Sequence, residues 1–239
     1  MTVTLADIRT EVRRRADMDG STFVTDAEVN GYVNRAGGAL HDILTTVYED
    51  YFMTSASVVL PYVPVSGPPL SEANIYPLPA DFFKMRGLDY QVETSAWSSV
   101  PKFNFAERNK WQRMPSRMLD DRFRAYQITG SYLRILPEDQ SQGTYRLWYL
   151  TSYAALASDS DGVSQWVENQ GWWEYIVVDA AIKCLQKEES DVSVLMAERA
   201  QLEQRIRGAA IHRDAGRPER IAEIRNDLDD DDYRGGWRR

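Results

Sequence analysis

The chain of 239 residues holds 36 acidic and 28 basic side chains, a net charge of -8, the wrong sign for gripping a nucleic-acid backbone over most of a surface. One cysteine, Cys184, and two histidines, His41 and His212, rule out an internal disulfide and leave too few soft ligands for a structural zinc site. No stretch approaches the ~20 apolar residues of a membrane span, and the first residues lack the apolar core of a signal peptide, so a cytosol-like compartment and no membrane contact are expected.

Two helical patterns open the sequence. Leu5, Ile8 and Val12 recur at helical spacing behind Thr4, with Asp7 placed to complete a cap, and this pattern runs out near Asp19-Gly20. Thr25 and Glu28 form a second capping pattern. Behind it Val29, Tyr32, Val33, Ala36, Leu40, Ile43, Leu44, Val47 and Tyr51 continue a stripe that predicts a long helix to about Asp50. Gly37-Gly38 in its middle costs about 1 kcal/mol per glycine against alanine, which implies a close backbone neighbour or a kink.

From Ser57 the composition changes to proline and β-branched residues, which excludes a continuous helix. Strands are predicted over 81–90, 125–137 and 144–153, with Gly130-Ser131 as a tight hairpin turn. An antiparallel sheet or small barrel is the economical reading.

Helical periodicity returns at Gln165, and Trp172, Trp173, Ile176, Val177, Ala180, Ala181, Cys184 and Leu185 form a broad apolar face. Past Ser190-Asp191, Val192, Leu195, Leu202 and Ile206 predict another helix, with Arg199 its polar exception. The segment from Gly208 carries little apolar stripe, an acidic run at 229–232 and an Arg-rich end, a composition typical of chains that order on a partner. The fold class read from this order is α+β. N- and C-terminal helices (1–54 and 154–211) pack as a bundle around an inserted β-rich domain (55–153), and an extended arm (212–239) follows.

Catalytic chemistry is hard to find. His41 beside Asp42 reads as a surface or partly packed helical histidine, and Cys184 reads as a buried, inert thiol. No nucleophile elbow, phosphate loop, dinucleotide fingerprint or zinc-protease motif is present, so no catalytic residue, metal or cofactor is expected. Asp120-Asp121 and Glu188-Glu189 read as solvated. The informative stretch is 102–124, where Lys102, Arg108, Lys110, Arg113, Arg117, Arg122 and Arg124 outnumber Glu107, Asp120 and Asp121 and alternate with Phe103, Phe105, Trp111 and Phe123. Basic plus aromatic suits single-strand binding and equally a wet protein interface. The 13 Tyr and 7 Trp against 7 Phe favour interfaces too, because those rings are dry at one end and wet at the other.

The order of elements resembles the head-to-tail adaptor (connector or tail tubular) proteins of tailed bacteriophages. The likeness rests on Leu78-Pro79-Ala80-Asp81-Phe82, on the hairpin Ile128-x-Gly130-x-x-Leu133-x-Ile135-x-Pro137, on the strand after Tyr145, and on Trp173 to Ala181 followed by Lys187-Glu188-Glu189-Ser190-Asp191. The Pro-rich stretch 61–69 and the basic insert 102–124 have no counterpart in that pattern. The resemblance implies a structural virion protein of the neck, made in the host cytoplasm, that assembles as a ring, commonly a dodecamer. Such a ring docks on the portal protein, carries the next tail component (nozzle, stopper or tail tube), and lets double-stranded DNA pass without sequence-specific binding. On this reading Arg217, Ile221, Ile224, Arg225, Leu228, Tyr233, Trp237, Arg238 and Arg239 contact the portal. Lys102, Arg108, Lys110, Trp111 and Arg113 contact the tail or a neighbouring subunit. The alternatives are a nucleic-acid-binding module built on 102–124 and a virion-associated cell-wall hydrolase using Trp and paired carboxylates.

Overall fold

A computed structural model describes residues 2–61, 74–112 and 124–212. Helix α1 (Leu5–Arg15) starts at a full capping box, with the Thr4 hydroxyl accepting from Asp7 N–H at 3.3 Å and the Asp7 carboxylate accepting from Thr4 N–H at 3.0 Å. It stops before the expected Asp19-Gly20, because Asp17 turns into the left-handed region at φ 54°. Helix α2 (Asp26–Val47) repeats the device with Thr25 and Glu28. It ends at Val47, short of Asp50, where Tyr48 is extended and a 3-10 turn (Glu49–Phe52) leads into the strands.

Among the described residues the strands that follow are β1 (Met53–Leu60), β2 (Ile75–Pro77), β3 (Phe82–Gln91), β4 (Trp97–Ser99), β5 (Ala125–Thr129), β6 (Tyr132–Leu136) and β7 (Gly143–Thr151), with the short helix α3 (Arg108–Gln112) between β4 and β5. They make two antiparallel sheets, one ordered β1-β7-β3-β4 and the other β2-β6-β5. The expected hairpin is present, with Gly130 at φ 58° between Thr129 and Tyr132. Leu78-Pro79-Ala80-Asp81-Phe82 bridges the sheets: Leu78 N–H donates to Ser131 O in the hairpin, and the Asp81 carboxylate accepts from the Tyr149 hydroxyl of β7 at 3.0 Å. Val58, Leu60, Leu88, Leu133, Ile135, Tyr145, Leu147 and Tyr149 from the two sheets share one core. Sheets of alternating residues close over each other because only one face of each is apolar.

The chain then returns to helices: α4 (Gln165–Asn169), α5 (Trp173–Lys187) and α6 (Ser193–Ile211). The single helix expected from Gln165 is two, since Gly171 sits at φ 68° and ends the first. Helix α5 is buried along most of its length and packs on α1, α2 and α6, so one core joins Leu5, Ile8, Val33, Leu44, Ile176, Val178 and Ile206 across both ends of the chain. The helix α6 runs through Gly208 to Ile211, beyond the point where the apolar pattern fades. The α+β class with antiparallel sheets read from the sequence is the class observed.

Candidate interaction surfaces

The basic stretch divides by burial. Phe103 is buried with Ala125 and Leu136, and half-buried Trp111 packs against them, so two of its aromatics anchor the segment to β5 and β6. Arg124 is only 7 % exposed; its Nε donates to Gln140 O at 2.8 Å and its guanidinium lies 3.6 Å from the Tyr90 ring centroid. It is therefore a packing residue and not a surface cation, a correction to its place in the basic count. Lys102, Arg108 and Lys110 stay exposed, and Arg108 stacks on exposed Phe105 at 4.3 Å. Lys102 also bridges to Tyr126 on the edge of β5. Among the described residues of the stretch, Phe103, Trp111 and Arg124 are spent internally, and Lys102, Phe105, Arg108 and Lys110 are left to solvent. Arg113 lies outside the described residues, as do Arg117, Asp120, Asp121, Arg122 and Phe123.

The portal-side set, Arg217, Ile221, Ile224, Arg225, Leu228, Tyr233, Trp237, Arg238 and Arg239, also lies outside the described residues. Glu188 and Glu189 are exposed, as expected. Cys184 is buried on α5, and burial pushes its thiol up to about 11, so the thiolate is scarce at neutral pH.

A second polar surface was missed in the sequence. On the outer face of the four-stranded sheet, the Arg146 guanidinium lies 4.2 Å from the Trp97 ring and 5.6 Å from the Trp148 ring. Trp148 Nε1 donates to Asp89 at 2.7 Å, and the Ser99 hydroxyl donates to the other carboxylate oxygen at 3.2 Å. The available signal was parity along β7: Arg146 and Trp148 alternate with Tyr145, Leu147 and Tyr149, which face the core. Trp and Arg held in one rigid layer are the residue types that dominate protein interfaces.

Where α2 meets the sheet, a cavity of about 510 Å³ is lined by Leu40, His41, Phe52, Tyr153, Leu156 and Val167 among others. His41 is 3 % exposed, which corrects its reading as a surface histidine. Its Nε2 donates to Thr151 O at 2.9 Å, a bond that specifies the proton on that nitrogen, and Phe52 stacks 4.3 Å away. The first glycine of the pair, Gly37, is required by packing: a Cβ there would overlap the Tyr153 ring and hydroxyl. The close neighbour is a side chain and not a backbone. Among the described residues no cluster of three or more His, Cys, Asp or Glu is arranged around a metal position.

These features define a mixed helical and antiparallel-sheet protein. The family model described as SU10 adaptor protein matches residues 3–232, and the chain belongs to that family of phage head-to-tail adaptors. Its role is that of a structural adaptor of a phage particle. No curated protein matches the chain significantly.

Proposed function

We propose that the protein occupies the neck of the virion, docking as a ring onto the portal, extending the DNA channel and presenting an attachment surface to the tail. The observation that carries this reading is the adaptor-family match over residues 3–232, which spans the helical core, both sheets and most of the C-terminal segment. A ring closes head to tail, so each subunit needs two different complementary surfaces. The exposed Lys102, Arg108 and Lys110 belong to one of them, with Trp111 as the anchor that holds the segment in place and Arg113 following in sequence. The C-terminal residues 212–239 supply the portal contact, with Ile221, Ile224 and Leu228 as apolar groups and Trp237, Arg238 and Arg239 as anchors. Repetition around the ring multiplies weak single contacts into firm attachment. The net charge of -8 suits a conduit, because repulsion at a lumen keeps duplex DNA mobile.

Removal of residues 217–239 tests the portal contact. The truncated protein is expected to keep its fold by circular dichroism and to fail to join portal-bearing particles in an in vitro assembly assay. Completion of those particles by truncated protein would show that the contact lies elsewhere.

A further inference from the structure

Helix α6 buries Leu202, Ile206 and Ala210 against the rest of the bundle, and Asp179 of α5 receives Arg199 at 2.9 Å. The opposite pole of a surface helix ordinarily carries its charges. Here that pole consists of Val194, Ala197, Gln201, Gln204, Gly208 and Ile211, all exposed, none charged, and spaced three and four apart through three turns and more. Val194 is 75 % and Ile211 60 % exposed. No described residue stands within 4 Å of where a Gly208 Cβ would lie, so nothing among the described residues accounts for a glycine in mid-helix, which costs about 1 kcal/mol against alanine. Spacing of this kind is the seam of a helix pair.

We propose that this face pairs with α6 of a second copy, antiparallel, in a two-fold dimer of the unassembled protein. The antiparallel register matches every position by size: Val194 meets the partner's Ile211, Ala197 meets the partner's Gly208, and Gln201 meets the partner's Gln204. Each contact occurs twice, as two-fold symmetry demands. The flanks match by charge, since Glu198 and Arg205 lie on one side of the seam and reversal of the partner helix sets each beside its opposite. Both already belong to a local ion network, Glu198 with Arg15 and Arg205 with Glu174, so the partner's groups extend that network across the seam. A parallel pair would place Gly208 on Gly208, leaving a gap, and would align Glu198 and Arg205 with no opposite charge.

Nineteen helical residues span about 28 Å, a single-helix contact, so the dimer is expected to be reversible and to exchange with monomer as concentration falls. A two-fold pair cannot be the head-to-tail contact of a ring. It keeps the face covered until assembly and holds apart from the neck role proposed above.

Sedimentation equilibrium of the full chain is expected to show monomer and dimer exchanging with concentration, and Ala197→Glu, on the exposed face, is expected to weaken the dimer at least tenfold with unchanged helical circular dichroism. Register is read by mixing Ala197→Cys protein with Gly208→Cys protein under mild oxidation, where the mixture forms a disulfide-linked dimer and neither variant does so alone. A monomer at every concentration, rings without a dimeric species, a mass unaffected by Ala197→Glu, or equal cross-linking by one variant alone would each overturn the pairing. None of these outcomes depends on whether protein lacking residues 217–239 joins portal-bearing particles.

Discussion

At Gly37 the absence of one carbon lets the hydroxyl end of Tyr153, two residues past β7, come up against α2. Gly37→Ala is expected to destabilise the protein by about 1–3 kcal/mol, the usual penalty for overfilling a packed site. At Gly38 a Cβ would sit 4.0 Å from the nearest Tyr153 atom, an ordinary contact. Gly38→Ala is therefore expected to stabilise by about 0.5–1 kcal/mol through helix propensity alone, and urea unfolding of the two variants reads the opposite signs. The pair of glycines was visible in the sequence, but their inequality was not, because it depends on a ring more than a hundred positions away. Cys184 is a residue-scale case of the reverse kind. Its place on an apolar stripe foretold burial, and its raised pKa predicts that iodoacetamide at pH 8 leaves it unmodified in folded protein and alkylates it readily in denaturant.

Between elements, local caps double as tertiary ties. Glu28 completes the α2 capping box and also accepts from Lys187 Nζ at 2.7 Å at the end of α5, and these hydrogen bonds, Lys187's first, pull its carboxyl down to about 2 from an ordinary 4.5. A depressed carboxylate contributes stability that is present above pH 4.5 and lost as pH falls toward 2. Thermal melts of Glu28→Gln are expected to run below wild type near neutrality and to converge with it across that window. Asp179 is the stronger tie between α5 and α6. It is 4 % exposed and pairs with both Lys183 and Arg199. Its truncation by Asp179→Ala removes the shared partner of two half-exposed cations and is expected to cost about 1–3 kcal/mol, read by denaturant unfolding. Arg199 stood out in the sequence as a charge on an apolar stripe; its partner did not, since Asp179 lies within a run that reads as pure core.

For the whole molecule, the helical core and the core between the sheets meet where His41 donates to Thr151 O and where Glu49 and Asp50, just past α2, pair with Lys84 and Arg86 of β3. A single compact domain of this length has a radius of gyration near 18 Å. Two cores side by side predict a larger value in small-angle scattering at dilutions where the chain is monomeric, and a value at the compact figure would contradict that layout.

The starts of α1 and α2, the hairpin at Gly130, the apolar faces and the adaptor family were legible from the amino-acid order alone, because each rests on residues within a few positions of one another or on their order along the chain. Caps and turns are local hydrogen bonds, and periodicity shows which side of an element is dry. Long-range packing settled the rest: Arg124 and Phe103 support the basic insert from within, His41 is enclosed, Trp97, Arg146 and Trp148 share a surface, and α6 turns an uncharged face outward. Each of these depends on which distant element lies alongside, and burial is a property of that meeting and not of the residue.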